Sequence, residues 1–135
     1  MIAVDTSAVV AVAQLEPEAA DFRRCIEEAA SACLSAVSLQ ELLTVMLRRR
    51  GDTAILAPLD RLLLDMRLQI VSHDDELARL AGEAFFRFGK GRHPAQLNFG
   101  DCASYALAKK YSIPLLFKGA DFAKTDIVPA LAAPA

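Results

Sequence analysis

The chain has 135 residues, 54 % hydrophobic and 24 % charged, which suits one compact domain over 1–135 rather than a disordered segment. Fifteen Lys and Arg against 17 Asp and Glu give a formal charge of −2, which excludes a domain coated all over in positive charge but not a local basic stripe. No apolar run approaches the roughly 20 residues that cross a bilayer. The start MIAVDTSA lacks a basic leader, and Cys25, Cys33 and Cys102 are odd in number without CxxC spacing. The expectation is a cytoplasmic protein with reduced thiols and no membrane contact. Two histidines exclude a His-rich metal site.

In chain order, residues 1–4 read as a short buried strand ending at Asp5, and Thr6 or Ser7 as the cap of a helix over 8–14. Glu16-Pro17-Glu18 opens a helix to about 30. A second strand over 32–36 precedes Ser38 and Glu41, whose spacing is that of a capping box, and the helix they start ends at Gly51. Asp52 starts a helix to about 67, with a kink expected at Pro58. A strand over 69–72 and a helix over 73–88 lead to a basic Gly/Pro-marked loop, 89–98. A helix over 99–111, a strand over 113–117, a turn over 119–124 and an edge strand at 127–128 precede an Ala/Pro tail. Short apolar strands alternating with helices predict an α/β fold, a central parallel sheet of four to five strands with helices on both faces. Ligands then sit at the carboxyl ends of the strands.

Four acids stand at that edge among apolar neighbours: Asp5, Glu41, Asp101 and Asp121. Singly, each has a plain explanation: Asp5 as an N-cap, Glu41 as the arm of a capping box, Asp101 as a helix-dipole partner, Asp121 as a turn residue. Gathered in one cleft, they repel unless a cation neutralises them. Oxygen ligands without His or Cys point to Mg²⁺, or Mn²⁺, and carboxylate-held Mg²⁺ can polarise a phosphodiester and acidify a water.

The stretches IAVDTSAVVAVAQLEPEA, CLSAVSLQELLTVMLRR, LNFGDCASYALAKKYSIPLLFKGADF and the following TDI resemble the PIN-domain ribonucleases, and within them the VapC-type toxins of prokaryotic toxin–antitoxin pairs. The resemblance implies a PIN-like fold, with Asp5, Glu41 and Asp101 as metal-binding acids and Asp121 as the fourth. It departs at Phe117, where many relatives carry a small hydroxyl, and Asp126 competes with Asp121 for the fourth position. Implied too are a Mg²⁺-dependent endoribonuclease, an RNA substrate, a homodimer, and a hetero-oligomer with a cognate VapB-type antitoxin whose basic side chain enters the acidic pocket. The leucines of 39–47 and 56–68 suggest an apolar groove for that partner, or else simply complete the core.

For RNA contact the candidates are Thr6, beside Asp5, Lys90 and Arg92 in the basic loop, and Lys118 after the fourth strand. Arg48–Arg50 and Lys109–Lys110 could supply a further surface that tracks an RNA backbone, or else are solvated helix ends that balance the dipole. Two other readings stand beside the enzyme: a catalytically inactive PIN domain that binds RNA or protein, and a receiver-like phosphoacceptor. With four acids set aside for one site, 13 acids face 15 basic residues elsewhere, so the net charge does not argue against RNA.

Overall fold

In the computed structural model, which describes residues 1–132, four strands form one parallel sheet in the order β3-β2-β1-β4. They are β1 (Ile2–Val4), β2 (Ala32–Ser35), β3 (Leu68–Val71) and β4 (Leu115–Leu116). The helices are α1 (Thr6–Ala13), α2 (Ala19–Glu28), α3 (Ala36–Arg50), α4 (Leu56–Asp65), α5 (Asp75–Phe88) and α6 (Phe99–Tyr111). Ile2 pairs with Ala32, Ala3 with Leu115, and Cys33 with Gln69.

Alternation along each strand builds two cores. Ile2, Val4, Ala32, Leu34 and Leu116 face α1 to α4, while Ala3, Cys33 and Leu115 face α5 and α6. The expected parallel sheet with helices on both faces is therefore the fold. Most of the leucines complete the monomer core: Leu42, Leu59 and Leu63 are buried, Leu39, Leu43 and Leu62 pack against that core, and Leu64 is exposed.

Several boundaries differ from expectation for local reasons. Of the candidate caps for α1, Asp5 serves rather than Thr6 or Ser7, as one of the two readings of the sequence has it, because its carboxylate reaches the Ser7 amide. Ser35 caps α3 while still paired to Val71, so Ser38 lies inside the helix and forms no capping box with Glu41. A 3-10 turn (Thr53–Ile55) capped by Asp52 precedes α4, and Pro58 occupies the first turn of that helix. An amide there has no intrahelical partner, so proline removes no hydrogen bond. Asp74 caps α5, which shortens it by two residues from the expected start. The fourth strand shrinks to two residues because the Ile113 amide still bonds Ala108 O and Pro114 has no amide. The segment after it meets β4 in one bridge, Leu115 with Pro129, rather than an edge strand. The last three residues of the Ala/Pro tail lie outside the described residues.

Candidate active site

Asp5 leaves β1 in an extended conformation and turns directly into α1, which places its carboxylate at the carboxyl edge of the sheet, only 3 % exposed. Both oxygens are held. Ser7 donates its hydroxyl at 2.6 Å and its amide at 3.0 Å to Oδ2, and Ser104 of α6 donates its hydroxyl at 2.6 Å to Oδ1. Ser104 spends its proton on the carboxylate, so Ser38 must donate across the 3.0 Å Ser38–Ser104 contact. Ser7 Oγ in turn accepts the Lys118 amide, which ties the segment after β4 to Asp5. Phe117, where the resemblance leads one to expect a small hydroxyl, packs its ring on Phe122 instead.

Asp101 is held by its own helix start. Asn98 Oδ1 accepts the Asp101 amide at 2.9 Å, and Asp101 Oδ2 accepts the Asn98 amide at 3.0 Å, a complete capping box. Glu41 projects from the second turn of α3 onto Gly100. A Cβ at position 100 would lie 2.6 Å from Glu41 Oε2, so glycine is what lets the carboxylate lie against the start of α6.

Asp5, Glu41 and Asp101 line one pocket of about 360 Å³, together with Thr6, Ser7 and Lys118. Burial raises the Asp101 carboxyl to about 7, against the pull of the Asn98 amide and with the charges of Asp5, Glu41 and Asp121 adding to it. Burial also raises Glu41, and the charge of Asp5 adds to it. Asp121, exposed at the start of a 3-10 turn (Phe122–Lys124), is thus within electrostatic reach of the cluster though not in the pocket wall.

Asp126 points elsewhere. It accepts the Tyr105 hydroxyl and Lys109 Nζ and lies 3.6 Å from Arg87. Burial opposes its ionisation, but those hydrogen bonds and charges outweigh it and hold the carboxyl below the usual range.

The basic candidates separate in the same way. Lys118 reaches the pocket, with its ammonium paired to Glu16 and Glu18. Thr6 reaches it also, but its hydroxyl is buried and donates to Ser38 O at 2.9 Å. Lys90 and Arg92 are not in its wall, and Arg92 stacks on Phe86 at 4.6 Å. Arg49, from a cluster that the sequence leaves open between an RNA-tracking surface and a solvated helix end, lines the pocket. Ser104 and Gly100 were invisible to a search for charged side chains. The signal that could have found Ser104 is a hydroxyl one turn after Asp101 in the otherwise apolar stretch ASYALA.

The donor set fits a hard divalent cation. It consists of carboxylate and hydroxyl oxygens without His or Cys, and among the described residues no Lys or Arg forms an ion pair with Asp5, Glu41 or Asp101. Among those residues no three Asp, Glu, His or Cys side chains lie close enough together, as they stand, to hold an ion between them. An open cleft of this kind matches an ion held by a few carboxylates and completed by water or phosphate oxygens.

The parallel α/β fold is shared with known proteins. The family model described as PIN domain matches residues 2–128, and the chain belongs to that family. Its relatives there are VapC proteins. It is 43 % identical over 128 residues to "Ribonuclease VapC42" of Mycobacterium tuberculosis, covering 94 % of this chain and 97 % of that one. It is 43 % identical over 125 residues to "Ribonuclease VapC36" of the same organism, covering 92 % and 89 %. The crystal structure of Mycobacterium tuberculosis VapC20, titled a Sarcin-Ricin loop cleaving toxin, superposes with a TM-score of 0.74 over 95 % of this chain and 97 % of that one. Its sequence identity is 22 %, so it bears on the fold. No helix among the described residues is long and apolar enough to cross a membrane.

Proposed function

We propose that this chain is a metal-dependent endoribonuclease of the VapC type, the toxin of a type II toxin–antitoxin pair, acting as one domain in the cytoplasm. The observation that carries the proposal is the gathering of Asp5, Glu41 and Asp101 in one pocket where, among the described residues, no Lys or Arg forms an ion pair with them, in a chain whose relatives are named ribonucleases.

Asp5, Glu41 and Asp101 would hold Mg²⁺ or Mn²⁺, with Asp121 as the fourth acid acting on their charge. Bound there, the ion supplies positive charge for a phosphate oxygen and lowers the pKa of a water. The chain does the rest. Ser7 and Ser104 fix both Asp5 oxygens, so this ligand needs no reorientation when substrate arrives. Burial holds the Asp101 carboxyl up at about 7, so a cation bound there would compete with its proton. Arg49 and Lys118 at the rim, with Lys90 and Arg92 further out, would meet RNA phosphates without reading sequence. An antitoxin segment carrying a basic side chain would satisfy the same acids, and a homodimer would present two such pockets.

Expression of the wild-type chain without an antitoxin should arrest growth and produce discrete cut RNA ends, and Asp101→Asn should relieve both. Arrest by Asp101→Asn as complete as by wild type would contradict the proposal.

A further inference from the structure

Phe99, the first residue of α6, is 82 % exposed. The helix start does not need it, because Asn98 and Asp101 supply the cap. A lone exposed aromatic is unremarkable by itself; its surroundings are what matter. Phe99 forms one wall of a groove of about 430 Å³, facing Thr44, Val45 and Arg48 of α3, and the groove shares Glu41 and Asn98 with the acidic pocket. That volume is in the range of small-ligand sites.

The cations beside it are available. Arg48 in the groove and Arg49 at the acidic pocket are exposed, and neither forms an ion pair among the described residues. Lys118, Lys109 and Lys110 are all paired with acids. An aromatic face, polar side chains and an unpaired guanidinium, continuous with acids suited to a phosphodiester site, together suit an unpaired nucleotide. The base can stack on the ring while its phosphate meets the arginine.

We infer that Phe99 and Arg48 form a subsite for an unpaired nucleotide flanking the scissile phosphate. The subsite rests on the ribonuclease reading and adds to it the residues that hold the substrate beside the cut: the Phe99 ring takes a base by stacking, with little preference among bases, and Arg48 takes a phosphate.

The test is fluorescence anisotropy of the full chain in EDTA with two labelled probes of equal length, an oligoadenylate and an abasic ribose-phosphate strand. Wild type should bind the oligoadenylate at least about 5-fold more tightly than the abasic strand. Phe99→Ala should lose about 5- to 100-fold on the oligoadenylate and little on the abasic strand, and Phe99→Trp should restore binding. Arg48→Ala should weaken both probes alike and lower the salt slope by about one. Undiminished oligoadenylate binding by Phe99→Ala, or an equal loss on both probes, overturns the subsite. So does a change in mass by light scattering with RNA affinity unchanged, which would make Phe99 a contact between copies. If wild type cleaves RNA with Mg²⁺ while Phe99→Ala binds normally, only the subsite fails. If wild type neither binds nor cleaves, the ribonuclease reading fails with it.

Discussion

Ser104 Oγ donates to Asp5 Oδ1 at 2.6 Å, joining two residues 99 positions apart, with both side chains buried. The bond fixes the carboxylate at the end of β1 to the helix that carries Asp101. Ser104 is buried and lies outside the pocket wall, so it acts by positioning Asp5. Ser104→Ala should therefore weaken Mn²⁺ binding about 10- to 100-fold, as loss of a ligand's supporting hydrogen bond does elsewhere. The check is Mn²⁺ titration on the purified protein, with KM for RNA remaining within a factor of two or so at saturating metal. Unchanged Mn²⁺ affinity would reduce Ser104 to a packing residue.

Gly100 makes a second prediction, because its role is purely one of space. A methyl group at position 100 meets the far end of the Glu41 side chain, which can swing away cheaply, so Gly100→Ala should fold but displace the carboxylate. Cation affinity should fall about 10-fold or more, while the Tm moves by no more than a few degrees. Calorimetric titration alongside thermal melts separates the two effects.

The two candidates for the fourth acid make opposite predictions. Asp121→Asn removes a charge felt by Asp101 and should lower cation affinity and cleavage several-fold. Asp126→Ala leaves the acidic pocket untouched and strips Tyr105, Lys109 and Arg87 of their shared partner. Its cost should be stability, about 1 kcal/mol for a half-exposed cluster, or a Tm lower by roughly 2–8 °C. Melting curves and cleavage rates measured on both variants decide the assignment.

The raised Asp101 carboxyl makes stability and metal binding depend on pH in opposite senses. Its folded value of about 7 stands above the ordinary 3.8, so between those values the folded chain holds a proton that the unfolded chain has lost. Stability from this group is therefore greatest in acid and is lost as pH rises through about 7. Cation binding competes with that proton and strengthens over the same range. Without metal, wild type should lose more Tm than Asp101→Asn between about pH 5.5 and pH 8. Added Mg²⁺ should raise the wild-type Tm more at the higher pH; an equal rise at both would contradict the assignment.

The elements legible in the sequence were those whose ends are set by neighbouring residues. The helix Phe99–Tyr111 was readable because apolar periodicity, an acid in its first turn and lysines in its last all agree. Ser38 misled because Ser35 and Ser38 are equally good caps, and only the pairing of Ser35 with Val71 settles which one serves. The acids were visible as charges among apolar neighbours at strand ends. Their supports were not, since a buried serine in ASYALA and a glycine pressed on Glu41 gain meaning only from partners distant in sequence. The split between Asp121 and Asp126 was equally hidden, because it depends on Tyr105, Lys109 and Arg87 converging on one of them.

The most direct test of the central claim is RNA cleavage by the purified chain in Mg²⁺, in EDTA, and after Asp5→Asn. Wild type should cut in Mg²⁺, stop in EDTA and resume when Mg²⁺ is restored, while Asp5→Asn, folded by circular dichroism, should lose activity by about 100-fold or more. Cleavage that persists in EDTA, or an Asp5→Asn protein as active as wild type, would contradict it.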